Sequence, residues 1–378
     1  MSTYRDIDGH RAMLFDEVRN TAYARAIRAA VTPGCTVLDL GAGLGLHGLL
    51  AAAAGAGRVI LLDPSPVVDL GFDLACDNGL GERVEVIRRR VEEVDTLPPV
   101  DVIISVFTGN FLLTEDLLPA LFLARDRFLR PGGWLIPNRA RMQVAAVSAP
   151  DFYATHIARW STPTLGVDFS RARRFAGNTV YYQSIEQLNA ELLGEAAELL
   201  DMDFSACQVA ECRSRVDLTA RKRGTCHGLL GWFDMLLGGI WLSTGPGAAP
   251  THWSAAFLPV DPPLELAAGD TVGVELKRPP FGEWTWTVTH AGRRQRHSTF
   301  QANIVDLAQL KKQASDAAPG LGESGGLALH VLSCLALGGS VGEIIDSARQ
   351  KFPRQATHQF ALEQRVRGLV ARWGGEQK

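Results

Sequence analysis

Residues 37–45 read VLDLGAGLG, a short apolar strand with Asp39 at its end, followed by glycines at 41, 43 and 45 that turn into the helical pattern LGLHGLLAAAAG. Glycine lets a backbone come close to a ligand, and the first turn of the next helix offers N–H groups that have no partner inside the helix. A dinucleotide-binding loop spaces its glycines G-x-G-x-x-G; here the third glycine comes one residue early and Leu46 takes the sixth position. That spacing, with Asp39 ahead of the turn, disfavours NAD. The same strand–turn–helix alternation extends outward, through a helix over about 10–30, the strands RVILLD, RVEVIRR and DVIISVF, and the helix LLPALFLARDRFL stopping at Pro131-Gly132-Gly133. Such alternation predicts a parallel sheet with helices on its faces.

From about residue 140 the pattern changes to short alternating runs between Gly/Pro turns, among them RMQVAAVSA, ACQVAECRSRVDLTA, DTVGVELKR and EWTWTVTH. These predict a mostly antiparallel, barrel-like sheet. FSRARRFAGNTVYYQ and a helical SIEQLNAELLGEAAELL interrupt it like an inserted arm. HGLLGWFDMLLGGIWLST (227–244) is too broken, by Asp234, Gly231 and Gly238-Gly239, to read as a membrane span, and predicts a buried strand pair. KKQASDAAPGLGESGG has the composition of a linker. Three short helical patterns follow it, with Ser340 ahead of the second, Pro353 after it and Gly374 closing the third. The expected domains are therefore 1–140, 141–310 with an arm at about 155–190, a linker at 311–326, and a small helical unit at 327–378.

The chain has 378 residues, 46% hydrophobic and 21% charged, with a formal net charge of -3. That is the balance of a soluble globular protein, and nothing in it draws the chain to nucleic acid or anionic lipid. The six cysteines lack CxxC spacing, so reduced thiols in a cytoplasmic protein are expected, with no metal centre. The N-terminal MSTYRDIDGHRAMLFDEVRN has no apolar signal core and is expected in the mature protein.

The glycine loop resembles motif I of class I S-adenosylmethionine-dependent methyltransferases. Asp63 ends the next strand, where an acid can bond both ribose hydroxyls of such a cofactor. Glu92 lies in the loop after the following strand, where an acid commonly meets the adenine amino group. The alternative, a merely tight turn with merely solvated acids, is the weaker reading of the loop and weaker still with Asp63 in register. Further motifs narrow the resemblance. HRAMLFDEVRNTAY (10–23), VLDLGAGLG, LPPVDVIISVFTGNFLLTEDLL (97–118), RPGGWLIP (130–137) and THW (251–253) stand in the order and spacing of protein arginine methyltransferases, over about residues 4–300.

The resemblance implies a Rossmann-like α/β domain followed by an antiparallel β-barrel domain with a dimerisation arm, S-adenosyl-L-methionine as cofactor, and a homodimer. It also implies residue roles. His10 and Arg19 close over the cofactor, Arg19 pairing with its carboxylate, a match suited to a guanidinium fork. Asp16 pairs with His252 of the THW loop, where the two can hold a base or relay a proton. With Glu115 these form the expected catalytic set, and His10, Arg19, Asp39, Gly41, Gly43, Gly45, Asp63 and Glu92 the expected cofactor set.

The chain departs from the family at VDVIISVFTGNFLLTEDLLPAL (100–121), expected to form a strand, a break at Thr108-Gly109-Asn110 and a helix carrying Glu115 in its first turn. Where the family has two acids around a substrate guanidinium, this chain keeps Glu115 and has Val106 at the other position. A guanidinium facing an isopropyl group loses water without compensation. The expected acceptor is a nitrogen of a peptide side chain or of an arginine-like molecule, possible targets including a natural-product precursor peptide. A tailoring enzyme acting on a small metabolite or carboxylate, and a silent dimerising subunit, are the alternatives. The C-terminal helices resemble the helical half of winged-helix or PqqD-like peptide-recognition units, and equally suit a simple cap.

Overall fold

A computed structural model describes residues 7–353 and 359–375, so readings that fall on 1–6, 354–358 and 376–378 lie outside the described residues. The chain divides into two compact units, residues 1–303 and 304–378. The first begins with α1 (Ile7–Leu14) and α2 (Glu17–Ala30). The single helix expected here is broken at Asp16, whose Oδ1 accepts from the Arg19 N–H at 2.9 Å and caps α2.

The strands and helices β1 (Thr36–Leu40), α3 (Leu46–Ala53), β2 (Arg58–Leu62), α4 (Val67–Asp77), β3 (Val84–Ile87), β4 (Val100–Ser105), α5 (Leu118–Phe128) and β5 (Leu129–Ile136) then alternate. They form a five-stranded parallel sheet in the order β3-β2-β1-β4-β5. Its central strands are buried on both faces, which is why they read as unbroken apolar runs. The order reverses between β1 and β4, and ligands of such sheets sit beyond the strand ends at that point. Leu40 pairs with both Leu62 and Ser105, so Gly41, Asp63 and Val106 leave the sheet side by side. Two local expectations fail. Pro131-Gly132-Gly133 lies inside β5. Helix α5 starts only at Leu118, leaving Glu115 exposed on an otherwise largely buried loop, because Phe111, Leu112 and Asp116 take φ of 49°, 62° and 54°, which no α-helix accommodates.

The antiparallel part comprises β6 (Arg139–Ser148), α6 (Pro150–His156), α7 (Arg173–Ala176), β7 (Tyr181–Gln183), α8 (Ile185–Leu188), β8 (Glu191–Leu192), β9 (Ala197–Asp203), β10 (Cys212–Thr219), β11 (Gly224–Leu237), β12 (Ile240–Ser243), β13 (Ala255–Leu266), β14 (Thr271–Arg278), β15 (Thr285–His290) and β16 (Arg293–Ser298). One sheet runs β7-β13-β11-β6-β8, with β12 on β11 and β9 on β6; the other runs β10-β14-β15-β16. The segment 184–200, expected to be helical, is helical only over Ile185–Leu188. Leu193 donates its N–H to Ala146, and Ala197–Asp203 pairs with β6, so sheet pairing overrides the local helix preference. The insertion between β6 and β7 is built of short helices and turns, with Trp160, Leu165, Val167 and Phe169 exposed.

The second unit is helical in its described residues: α9 (Leu307–Gln313), part of which falls where composition reads a linker, then α10 (Glu323–Ala336), α11 (Val341–Lys351) and α12 (Gln359–Trp373). Leu327, Val331, Ile344, Ile345, Ala348, Leu362 and Val366 form its own core. Ser340 and Glu343 cap α11 reciprocally.

Candidate active site

The glycine loop is shaped by what lies against it. Gly41, Gly43 and Gly45 have φ of 74°, 52° and 79°. A Cβ on Gly41 would sit 2.1 Å from Phe107 Cε1, and one on Gly43 would sit 3.0 Å from the buried His10 ring. Any side chain there would push Phe107 or His10 aside, so the loop presents bare backbone. Beneath it, Asp39 is 2% exposed and accepts the Gly48 N–H at 2.7 Å. Burial, reinforced by the charge of Asp63, pushes the Asp39 carboxyl up to about 7 despite that hydrogen bond. Asp39 therefore braces the loop from below and is not itself presented to a ligand.

Asp63 is placed to meet one. Its oxygens accept the N–H groups of Gly43 at 3.0 Å and Ser65 at 2.7 Å. A carboxylate has about four acceptor positions, so capacity remains for a diol. Arg19 is 4% exposed, bonds Asn20 Oδ1 and Met13 O, and has no carboxylate within ion-pairing distance among the described residues. Burial holds its pKa below the usual arginine range. A buried, unpaired guanidinium suits an anionic ligand group. The bare loop, the strand-end acid and the buried cation together fit a cofactor that joins a nucleoside to an amino-acid carboxylate. Glu92 is exposed on the turn Val91–Glu93, and no described hydrogen bond joins it to this group.

Asp16 and His252 meet as expected. Asp16 Oδ2 accepts both the His252 backbone N–H and Nδ1, each at 2.8 Å. A carboxylate only accepts, so Nδ1 carries the proton and Nε2 keeps a lone pair. Burial depresses the imidazole, and the Arg19 charge adds to this, against the opposing pull of Asp16; the ring is neutral at pH 7. For Asp16 burial alone would raise the carboxyl, but the hydrogen bonds from His252 and the Arg19 N–H outweigh it and hold it low. The charge of Glu115 also reaches His252.

Sequence reading missed how the loop carrying Glu115 is held. Trp253 Nε1 donates to Thr108 O at 2.8 Å, and Ser254 N donates to Asn110 Oδ1 at 2.9 Å. Thr114 bonds the Tyr182 hydroxyl at 2.9 Å. Phe111 stacks on Trp284, with centroids 5.0 Å apart, against Gly231, where a Cβ would come 2.5 Å from the ring. Asp116 forms a bidentate pair with Arg278, at 2.7 and 2.6 Å. Tyr23 ties α2 to the end of β4 by donating to Ser105 O at 2.9 Å. Only Trp253 carried a sequence signal, as part of THW. Val106 is half-buried and packs, with Phe107, on the core.

Comparison with known proteins agrees with this geometry. Residues 37–133 match a family model described as a methyltransferase domain, and 138–284 one described as the arginine methyltransferase oligomerization subdomain. An arginine N(omega)-methyltransferase of Streptomyces achromogenes is 31% identical, over 71% of this chain and 75% of the relative. Protein arginine N-methyltransferase 1 of Schizosaccharomyces pombe is 30% identical, over 70% of this chain and 79% of the relative. Among solved structures, a Trypanosoma brucei PRMT1 enzyme–prozyme heterotetrameric complex with AdoHcy is similar with a TM-score of 0.72 at 26% identity, over 78% of this chain and 99% of that one.

Proposed function

This chain belongs to the protein arginine methyltransferase family, and from that premise we propose that it methylates a nitrogen of an arginine-like molecule or a peptide side chain through a reduced acceptor site. It is an S-adenosyl-L-methionine-dependent methyltransferase. The observation that carries the proposed acceptor is Glu115, whose charge reaches the Asp16-backed His252, on a loop whose other acid position is Val106.

The cofactor supplies a methyl group made electrophilic by a sulfonium. Asp63 would hold its ribose hydroxyls and Arg19 its carboxylate, with the bare Gly41–Gly45 backbone along it and His10 over Gly43. Glu115 would orient the acceptor by accepting one of its N–H bonds. His252 Nε2 would take the proton that the nitrogen loses, and Asp16 would stabilise the resulting imidazolium. Holding the acceptor in line at contact distance supplies most of the rate, so one carboxylate is enough for an acceptor that is neutral or easily deprotonated. For a guanidinium the side facing Val106 costs on the order of several kcal/mol unless water or the substrate itself compensates. The name of the Streptomyces relative, an arginine N(omega)-methyltransferase, supports a guanidino acceptor all the same.

The exposed Trp160, Leu165, Val167 and Phe169 of the arm, within a segment matching an oligomerization subdomain, support assembly as a homodimer. The C-terminal helical unit would hold a long peptide acceptor; removing residues 327–378 should then abolish transfer to a long peptide and spare a short one, whereas equal loss on both favours a cap.

Calorimetric titration with S-adenosylhomocysteine, followed by mass spectrometry of free arginine, arginine peptides and histidine peptides, tests the reading. Cofactor-product binding with a gain of 14 Da, the mass of one CH2, on any of these acceptors supports it. Absence of binding at millimolar concentration sinks the enzyme reading. Binding without transfer, restored only on mixing with an active relative, favours a silent subunit, a reading prompted by Val106 and by the enzyme–prozyme composition of the Trypanosoma complex.

A further inference from the structure

Phe281 is built in a way that packing does not explain. It is the third residue of the turn Pro279–Gly282, closed by Gly282 N donating to Pro279 O at 3.1 Å. Its φ is 54°, the backbone region that turns normally fill with glycine or asparagine. Its ring is 73% exposed, so no burial offsets that conformation. The strain is maintained from the acceptor loop: the Phe281 N–H donates to Asp116 Oδ1 at 2.9 Å. Asp116 is itself left-handed, at φ 54°, and directly follows Glu115. The buried Arg278 grips both oxygens of Asp116, with its guanidinium 5.5 Å from the centroid of the Trp284 ring.

Strained backbone persists where the surrounding structure over-determines it, and such positions cluster at active sites and ligand clamps. We propose that Phe281 is a specificity residue of the acceptor site, its ring contacting an apolar or aromatic group beside the nitrogen to be methylated, with Asp116 and Arg278 as positioning residues that fix the ring relative to Glu115. The chemistry of the rim agrees. The Asp116–Arg278 pair cancels its own charge, and the second acid that would draw a cationic neighbour is replaced by Val106. An acceptor flanked by apolar groups would therefore meet the exposed ring where a polar one would lose water. This rests on the proposed acceptor chemistry, and its test separates the two.

The experiment compares wild type, Phe281→Leu and Phe281→Gly on four short peptides, with arginine or histidine at the centre and phenylalanine or serine on both sides. Wild type should favour the phenylalanine flanks by about three- to tenfold in kcat/KM, the range of an aromatic pair, with the difference in KM. Phe281→Gly should erase that preference through KM and should melt no lower than wild type, because glycine accepts a positive φ without strain. Phe281→Leu should retain part of it. Loss of Tm in Phe281→Gly, or equal loss on both flanks, would make the ring structural and overturn the proposal. Transfer to one centre without flank preference in wild type overturns the role of Phe281 alone. Transfer to free arginine but to neither peptide centre overturns the role of Phe281 alone; transfer to none of the three overturns both readings.

Discussion

Replacing Asp16 with asparagine tests whether the Asp16–His252 pair carries the proton. In the native site the carboxylate accepts the Arg19 N–H at 2.9 Å and two donors of His252 at 2.8 Å. Asparagine offers one acceptor oxygen. Kept on His252, that oxygen leaves the amide NH2 against the Arg19 N–H, losing a helix cap of about 1 kcal/mol. The two bonds to His252 become neutral, costing roughly 1 kcal/mol more in all. Stability should therefore fall by about 2 kcal/mol. The rate should fall further. An imidazolium about 4 Å from a carboxylate gains roughly 4 kcal/mol at an effective dielectric of 20, and asparagine removes that gain as His252 takes up the proton. At 1.4 kcal/mol per decade, kcat should drop by two to three orders of magnitude, with affinity for S-adenosylhomocysteine changed by less than about tenfold. Initial rates with radiolabelled cofactor, calorimetry and thermal melts measure the three quantities. Rates within about threefold of wild type at every pH would refute the proton role. Collapse of cofactor affinity with kcat preserved would reduce Asp16 to the cap of α2.

The wild-type pH profile follows from the same ring. Because burial holds His252 below its ordinary 6.5, transfer should persist as pH falls through 6.5 and disappear only through the lower folded value; an acid limb at or above 6.5 contradicts this. In Asp16→Asn the limb should move lower still, because Asp16 is what raises the ring. Gly41→Ala forces a Cβ to 2.1 Å from Phe107 in a backbone of φ 74°, so it should weaken S-adenosylhomocysteine binding by more than about tenfold and lower the melting temperature. Val106→Glu should raise transfer to arginine peptides, read by mass spectrometry, if the missing acid sets the acceptor; no gain places the limit elsewhere in the pocket. Leu165, 99% exposed at the arm's tip, should be a dimer contact, and Leu165→Asp should halve the mass seen by light scattering without altering S-adenosylhomocysteine affinity.

The backbone frame of the proposed cofactor site was legible because sheet register carries it. Asp39, Gly41, Gly43, Gly45 and Asp63 occupy fixed offsets from β1 and β2, so spacing along the chain is nearly position in space. Asp16 and His252 are 236 residues apart and were joined only by the family's motifs. The shape of the acceptor loop was not legible. NFLLTEDLLPAL has the composition of a helix, yet Phe111, Leu112 and Asp116 are left-handed. What holds them comes from distant sequence: Gly231 admits the Phe111 ring, Trp284 stacks on it, and Arg278 grips Asp116 across 162 residues. No local rule predicts such a conformation, which exists only once the antiparallel sheets are in place. The segment ending in β9 failed for the same reason, a helix preference overruled by pairing with β6.

That division of support separates the two halves of the proposed site. Val106 is the first residue beyond β4, set by the register of Ser105 on Leu40. From Thr108 to Asp116 the loop is held by Trp253, Ser254, Tyr182, Trp284 and Arg278, all from the antiparallel part. In the proposed acceptor site, valine where the family has an acid would alter one wall, while the contacts that hold Thr108–Asp116 come from other residues. Val106, placed by the parallel sheet and standing directly ahead of a loop held by the antiparallel sheets, is where acceptor preference would shift at least structural cost.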